Sequence, residues 1–135
     1  MKATGTFSVS SFVAAEVAPD STITTALPVG VAIIAKQFHG GIEGRSSTVF
    51  TSAFDQATGV GSYVAMESFD GALGGVSGAF NFLHVASTTG SDRTNEFCAI
   101  VPSSGTGGLA GITGTGGLSV DADGTHRIWF DYELG

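Results

Sequence analysis

Cationic side chains are scarce: five Lys and Arg stand against twelve Asp and Glu in 135 residues, with no basic run and a net charge of −7. A nucleic-acid groove needs clustered cations to replace phosphate counterions, so nucleic acid is excluded as a primary partner. Anionic membrane surfaces are disfavoured for the same reason. Charge of either sign is thin, at 13% of residues against about 25% in ordinary domains. A large uncharged surface usually becomes covered, which is compatible with a homo-oligomer.

Cys98 is the only cysteine, so no disulfide can form within the chain. A cytoplasmic location is the default expectation, and a lone cysteine is usually a small packed hydrophobe. The longest apolar run, VGVAIIA from Val29 to Ala35, falls far short of the roughly 20 residues that span a bilayer. The opening MKATGTFSVSSF enters strand-like alternation at once, without the apolar stretch or cleavage site of an export leader. No membrane partner is expected. Helical periodicity is nearly absent, and SFVAAEVA, Ser11 to Ala18, is the sole short candidate.

Chemical signatures are missing as well. There is no Walker A loop, zinc-finger spacing, HExxH or G-x-S-x-G elbow. Gly105, Gly107 and Ala110 fit G-x-G-x-x-[GA], but no helix follows to hold a pyrophosphate, so these read as turn glycines. DADG at 121–124 reads as a hairpin turn rather than a calcium loop. Of the three histidines, His39 should lie at the opposite end of the fold from His84 and His126, so neither a metal nor a cofactor is expected.

What the chain does contain is glycine, at 21 positions against a usual share of about 7%, and a succession of alternating or β-branched segments. Strands are predicted near 2–11, 29–39, 42–54, 60–70, 75–86, 95–101, 109–119 and 125–133, within one domain spanning 1–135. The links are short except for that from about 12 to Pro28, a candidate cover for one barrel mouth. Short links join antiparallel neighbours, and strands with no helix to cover them must close or stack. The predicted fold is all-β, an eight-stranded antiparallel up-and-down barrel.

ATGTFSV at the start, QFHGGIEG at 37–44, YVAMESFDGALGGVSGAFNFLH at 63–84, VPSSGTGGLAGITGTGG at 101–117 and FDYEL at the end resemble the uncharacterised bacterial family called domain of unknown function 3224. The resemblance runs over essentially the whole chain, with 12–29 richer in Ala, Thr and Val than the family pattern. It implies a barrel like that of plant allene oxide cyclase, lipocalin-like in shape with an internal cavity, and it implies no activity.

Within that pattern, Tyr63, Ala65, Glu67 and Phe69 share one face of a strand, which sets a carboxylate among aromatic rings. If GALG closes a hairpin about positions 72 and 73, Glu67 faces Gly78, Tyr63 faces Phe82 and Gly61 faces His84. The joint face, with Phe80 added, is the more apolar one and should line the barrel, and Gly78 would leave room beside Glu67. On the last strand Ile128, Phe130 and Tyr132 alternate inward, which places Tyr132 and Glu67 toward one end, His84 and His126 toward the other. An aromatic lumen with polar ends suits a mostly apolar ligand, and Tyr63, Phe69, Phe80, Phe82, His84 and Phe130 are its candidate lining.

Three functions fit this reading. One is a module binding an apolar or amphipathic small molecule. Another is a cyclase or isomerase, suggested by the likeness to allene oxide cyclase, with Glu67 as acid or base and Tyr63 or Tyr132 holding the substrate. The third is a structural or assembly protein whose barrel is filled by its own side chains. Glu67 would then be a structural carboxylate, hydrogen-bonded to Tyr132 or to backbone, because a buried carboxylate is not left unpaired.

Overall fold

Alternation of apolar and polar residues persists along most of the chain, and every strand it specifies forms. The computed structural model describes all 135 residues: β1 (Lys2–Ala15), β2 (Val29–Gly40), β3 (Ile42–Phe54), β4 (Val60–Leu73), β5 (Val76–Thr89), β6 (Thr94–Ile100), β7 (Thr106–Gly107), β8 (Thr113–Val120) and β9 (His126–Glu133). Each of β1 to β5 pairs antiparallel with the next, β5 pairs with β6, β6 with β8, β8 with β9, and β9 returns to β1. Eight strands thus close a barrel-like ring, in which sheet edges are consumed by pairing. The β6–β8 seam is the weakest, held by the single pair Ala99↔Thr115.

Two departures from the sequence reading have local causes. β1 runs on to Ala15, so the long link covers only 16–28; a bulge between Val9 and Ser11 interrupts the alternation that would have marked the continuation. β8 begins at Thr113 rather than near 109, because residues 101–112 fold across one barrel end. There Thr106 and Gly107 pair briefly with β5, and Leu109 and Ile112 are fully buried.

The β4–β5 hairpin turns at Gly74–Gly75, not at 72 and 73. Leu73 pairs with Val76, and both glycines hold positive φ, +55° and +84°, as a two-residue hairpin turn whose twist matches the strands requires. Glu67 therefore faces Phe82, Tyr63 faces Ala86 and Gly61 faces Thr88. The displacement is an even number of residues, so the inward set is unchanged. Gly78 faces Gly71, and a Cβ there would run into the Thr106 carbonyl. Its missing side chain makes room for β7, not for a ligand beside Glu67.

The core lies at the end that β7 crosses. Phe38, Phe69, Phe80, Phe82 and Phe130 are buried with Ile42, Leu73, Leu109 and Ile112. Their rings meet at 5.0–6.1 Å between centroids, several in edge-to-face contact. Leu109 acts as a stopper, so Leu109→Ala should lower unfolding free energy by about 2–5 kcal/mol in urea titration. Val17→Ala in the exposed link should stay within about 0.5 kcal/mol of wild type, and equal effects would contradict the plug.

Candidate functional site

Above the phenylalanine core the interior becomes polar. On β2, Ala32, Ile34, Lys36 and Phe38 alternate toward the inside, which carries a lysine into the barrel. Lys36 Nζ donates to Glu67 Oε1 at 2.8 Å, and Ser46 Oγ on β3 donates to Oε2 at 2.6 Å. The ammonium also lies 4.8 Å from the centre of the Phe7 ring. Glu67 is 1% exposed, so both of its oxygens are satisfied by protein rather than by solvent. Thr48, its cross-strand neighbour, is fully buried, and its Oγ1 has no hydrogen-bond partner within the protein.

A second polar line lies beside this pair. His84 on β5 is buried, with Nε2 2.7 Å from Glu96 Oε2 and Nδ1 3.4 Å from the Tyr63 hydroxyl. Arg93 holds Glu96 at 3.4 Å and donates to the Leu118 carbonyl at 2.8 Å. The network favours a proton on Nε2, directed to Glu96, and leaves Nδ1 to accept from Tyr63. Burial pushes the imidazole below its ordinary value of 6.5, with the Glu96 hydrogen bond opposing, so a neutral ring is favoured. Burial likewise raises the Tyr63 phenol. Cys98, paired with His84, has its thiol pushed up to about 12 by burial, which makes it a packing group rather than a nucleophile.

Beyond the polar layer the ring opens. β1 continues through residues 8–15 after its last pairing with β9 at Phe7↔His126. Strands β1 to β5 therefore project as a gutter past β9. Its inner face carries Phe12, Phe50, Phe54 and Tyr63: Phe50 and Tyr63 stack at 5.3 Å, Phe12 meets Phe50 at 6.2 Å, and Phe54 meets Tyr63 at 6.4 Å. Phe12 pairs with inward Ile34 yet is 62% exposed, the reverse of what an inner face normally shows. At the lip a cavity of about 440 Å³ is lined by Ala26, Leu27, Pro28, Gly30, Ser52 and Phe54, among others. The end of the long link thus borders the mouth, while Val17 and Ile23 earlier in it stand exposed.

The sequence-predicted residues divide among these levels. Tyr63 and His84 meet at the gutter floor. Phe69, Phe80, Phe82 and Phe130 point inward as expected but pack on one another, and they line none of the cavities of about 420–550 Å³. Glu67 lies in the polar layer and bonds Lys36 and Ser46, where Tyr132 or backbone was expected. Tyr132 is buried at the plugged end, near the Gly74 turn. His39 and His126, expected at opposite ends, instead flank β1 opposite Thr6 and Phe7 and border one surface depression, both exposed. Sequence reading missed Lys36, Ser46, Glu96, Arg93, Phe50 and Phe12. Strict alternation along 32–38 and 46–54 would have found Lys36, Ser46 and Phe50; the bulge at Ser10 conceals Phe12.

The family described as a protein of unknown function, DUF3224, matches residues 3–132. The chain belongs to the DUF3224 family. A crystal structure of a DUF3224 protein of unknown function from Shewanella oneidensis MR-1 is similar to it at 30% sequence identity, with a TM-score of 0.83, covering 100% of this chain and 98% of the other. No curated protein matches. This DUF3224 chain has no helix long and apolar enough to cross a membrane.

Two measurements probe the polar layer of this DUF3224 barrel. Lys36→Met or Glu67→Gln alone should cost about 3–5 kcal/mol by leaving a buried partner uncompensated, whereas Lys36→Met with Glu67→Met should recover much of the loss. Strict additivity in denaturant unfolding would rule out coupling. For His84 the folded-state value lies below the unfolded 6.5, so the unfolded chain binds the extra proton. Stability should be fully present above pH 6.5 and decline as pH falls below it. His84→Asn should flatten that decline below pH 6.5, and an unchanged slope would remove His84 as its source.

Proposed function

We propose that this protein is a binding module whose site is the open gutter, holding a mostly apolar small molecule with one hydrogen-bonding group. The observation that carries the reading is Phe12, an inward-facing ring left 62% exposed at the head of a row of aromatics. Exposed apolar surface in a concave setting is a standard mark of a ligand site. The aromatic walls supply contact area, and the Tyr63–His84–Glu96 line at the floor supplies a donor and acceptor for the ligand's polar end. This seats the ligand above the polar layer, with the phenylalanine core beneath acting as the base of the cup.

A second reading, acid–base chemistry on the bound molecule, is favoured by the placing of His84 between a carboxylate and a phenol. Glu67 serves that reading less directly, since Lys36 and Ser46 occupy both of its oxygens.

The test is titration with 1-anilinonaphthalene-8-sulfonate, an amphipathic aromatic probe, followed by fluorescence. Saturable binding should weaken about ten-fold or more in Phe50→Ala and in Tyr63→Ala, the loss expected when about 1.4 kcal/mol of contact is removed. Tyr132→Phe at the plugged end should bind as wild type. Equal binding by all four proteins would place the probe elsewhere and sink the assignment. Native mass spectrometry of gently purified protein would then identify the resident molecule.

A further inference from the structure

The outer face of the gutter strands is as unusual as the inner one. Following hydrogen-bonded partners across the sheet, Val13, Ile33, Val49, Met66, Leu83 and Ala99 stand side by side on the outside. The adjacent row adds Val31, Val64, Val85 and Phe97, with the neutral Thr51 between the first two. Val13, Ile33, Val49, Val64, Met66 and Phe97 are each 40–60% exposed. One-sided antiparallel sheets normally alternate apolar-in with polar-out, yet here both faces are apolar over the same stretch. The flanking rows are small and neutral, with Ala53, Ser62 and Ser87 on one side and Ala35, Ser47 and Ser68 on the other. Charge reappears only beyond them, at Arg45 and Asp70.

None of the five Lys and Arg or twelve Asp and Glu lies within these four rows. We infer that the outer face of β1 to β6 is the surface through which two copies of this chain pair face to face. Three features select a second copy. A chain of net charge −7 repels itself over most of its surface, and this face opposes no like charges when it meets its own copy. A two-fold interface sets one patch against itself, and a neutral apolar patch is self-complementary without further design. The four rows offer roughly 20 outward side chains, comparable to the roughly 20–30 residues a side of a standard interface. A bilayer is the weaker candidate, because the cation bordering the rows, Arg45, is matched by Asp70 beside it and leaves no excess positive charge to engage anionic headgroups.

The test is sedimentation velocity from about 1 to about 100 μM, the range in which micromolar pairing is visible. Wild type should sediment at twice the chain mass. Val49→Lys with Val64→Lys, which sets lysines opposite lysines, should sediment as a monomer while keeping its β circular-dichroism spectrum and its binding of the anilinonaphthalene probe. Gln37→Lys, outside the rows, should remain dimeric. A wild type that is monomeric throughout, or a dimer that survives the double substitution, would overturn the assignment. So would a monomer that co-floats with phosphatidylcholine vesicles, since the occupant would then be a bilayer. Loss of pairing with probe binding intact separates this surface from the gutter site.

Discussion

The ion pair between Lys36 and Glu67 sets the level at which the barrel changes character. With Ser46 on the second oxygen, the carboxylate ties β2, β3 and β4 together from inside. A buried pair of this kind contributes little net stability relative to apolar residues of similar volume. Its contribution here is placement. Apolar packing is tight below it, and beside it the interior is polar, with His84, Glu96 and Arg93 forming a line of contacts. The chain thereby combines a solid base and an open mouth within one ring.

The aromatic gutter, the polar floor and the apolar outer rows all belong to the same stretch of sheet. β1 to β5 are 12–14 residues long, whereas β6, β8 and β9 are 7 or 8. The excess length of β1 to β5 makes the gutter, which is apolar on its outer surface and aromatic on its inner one. Pairing through the outer rows would stiffen the sheet on which Phe50 and Tyr63 sit, because a strand gripped on one face moves less on the other. Preorganised walls reduce the ordering cost of taking up a ligand.

Alternation made the fold readable because a period of two assigns faces without knowledge of neighbours. Tyr63, Glu67, Phe69, Phe80, Phe82, His84, Phe130 and Tyr132 all point inward as that period requires. What alternation does not contain is depth. Phe82 and Tyr63 look equivalent on their strands, yet one is sealed by Phe130 and the other stands at the mouth, because strand lengths differ around the ring. The hairpin position was ambiguous for a related reason. GALGG offers glycines at 71, 74 and 75, and only the two-residue turn at Gly74–Gly75 lets Leu73 pair with Val76 inside the core. Phe12 escaped notice because a single bulged residue reverses every face after it.

Ring closure joins residues 2–7 to 126–131, and the Met1 amine donates to the Tyr132 carbonyl at 2.9 Å. The seam that completes the barrel is therefore made by segments at opposite ends of the chain. Until β9 is present, the edge of β1 at residues 2–7 has no native partner. An edge left open that long is a template for the wrong partner. The bulge at Ser10 breaks the regular ladder of β1 just past the stretch that pairs with β9, a device by which natural sheets make an edge a poorer template for a foreign strand.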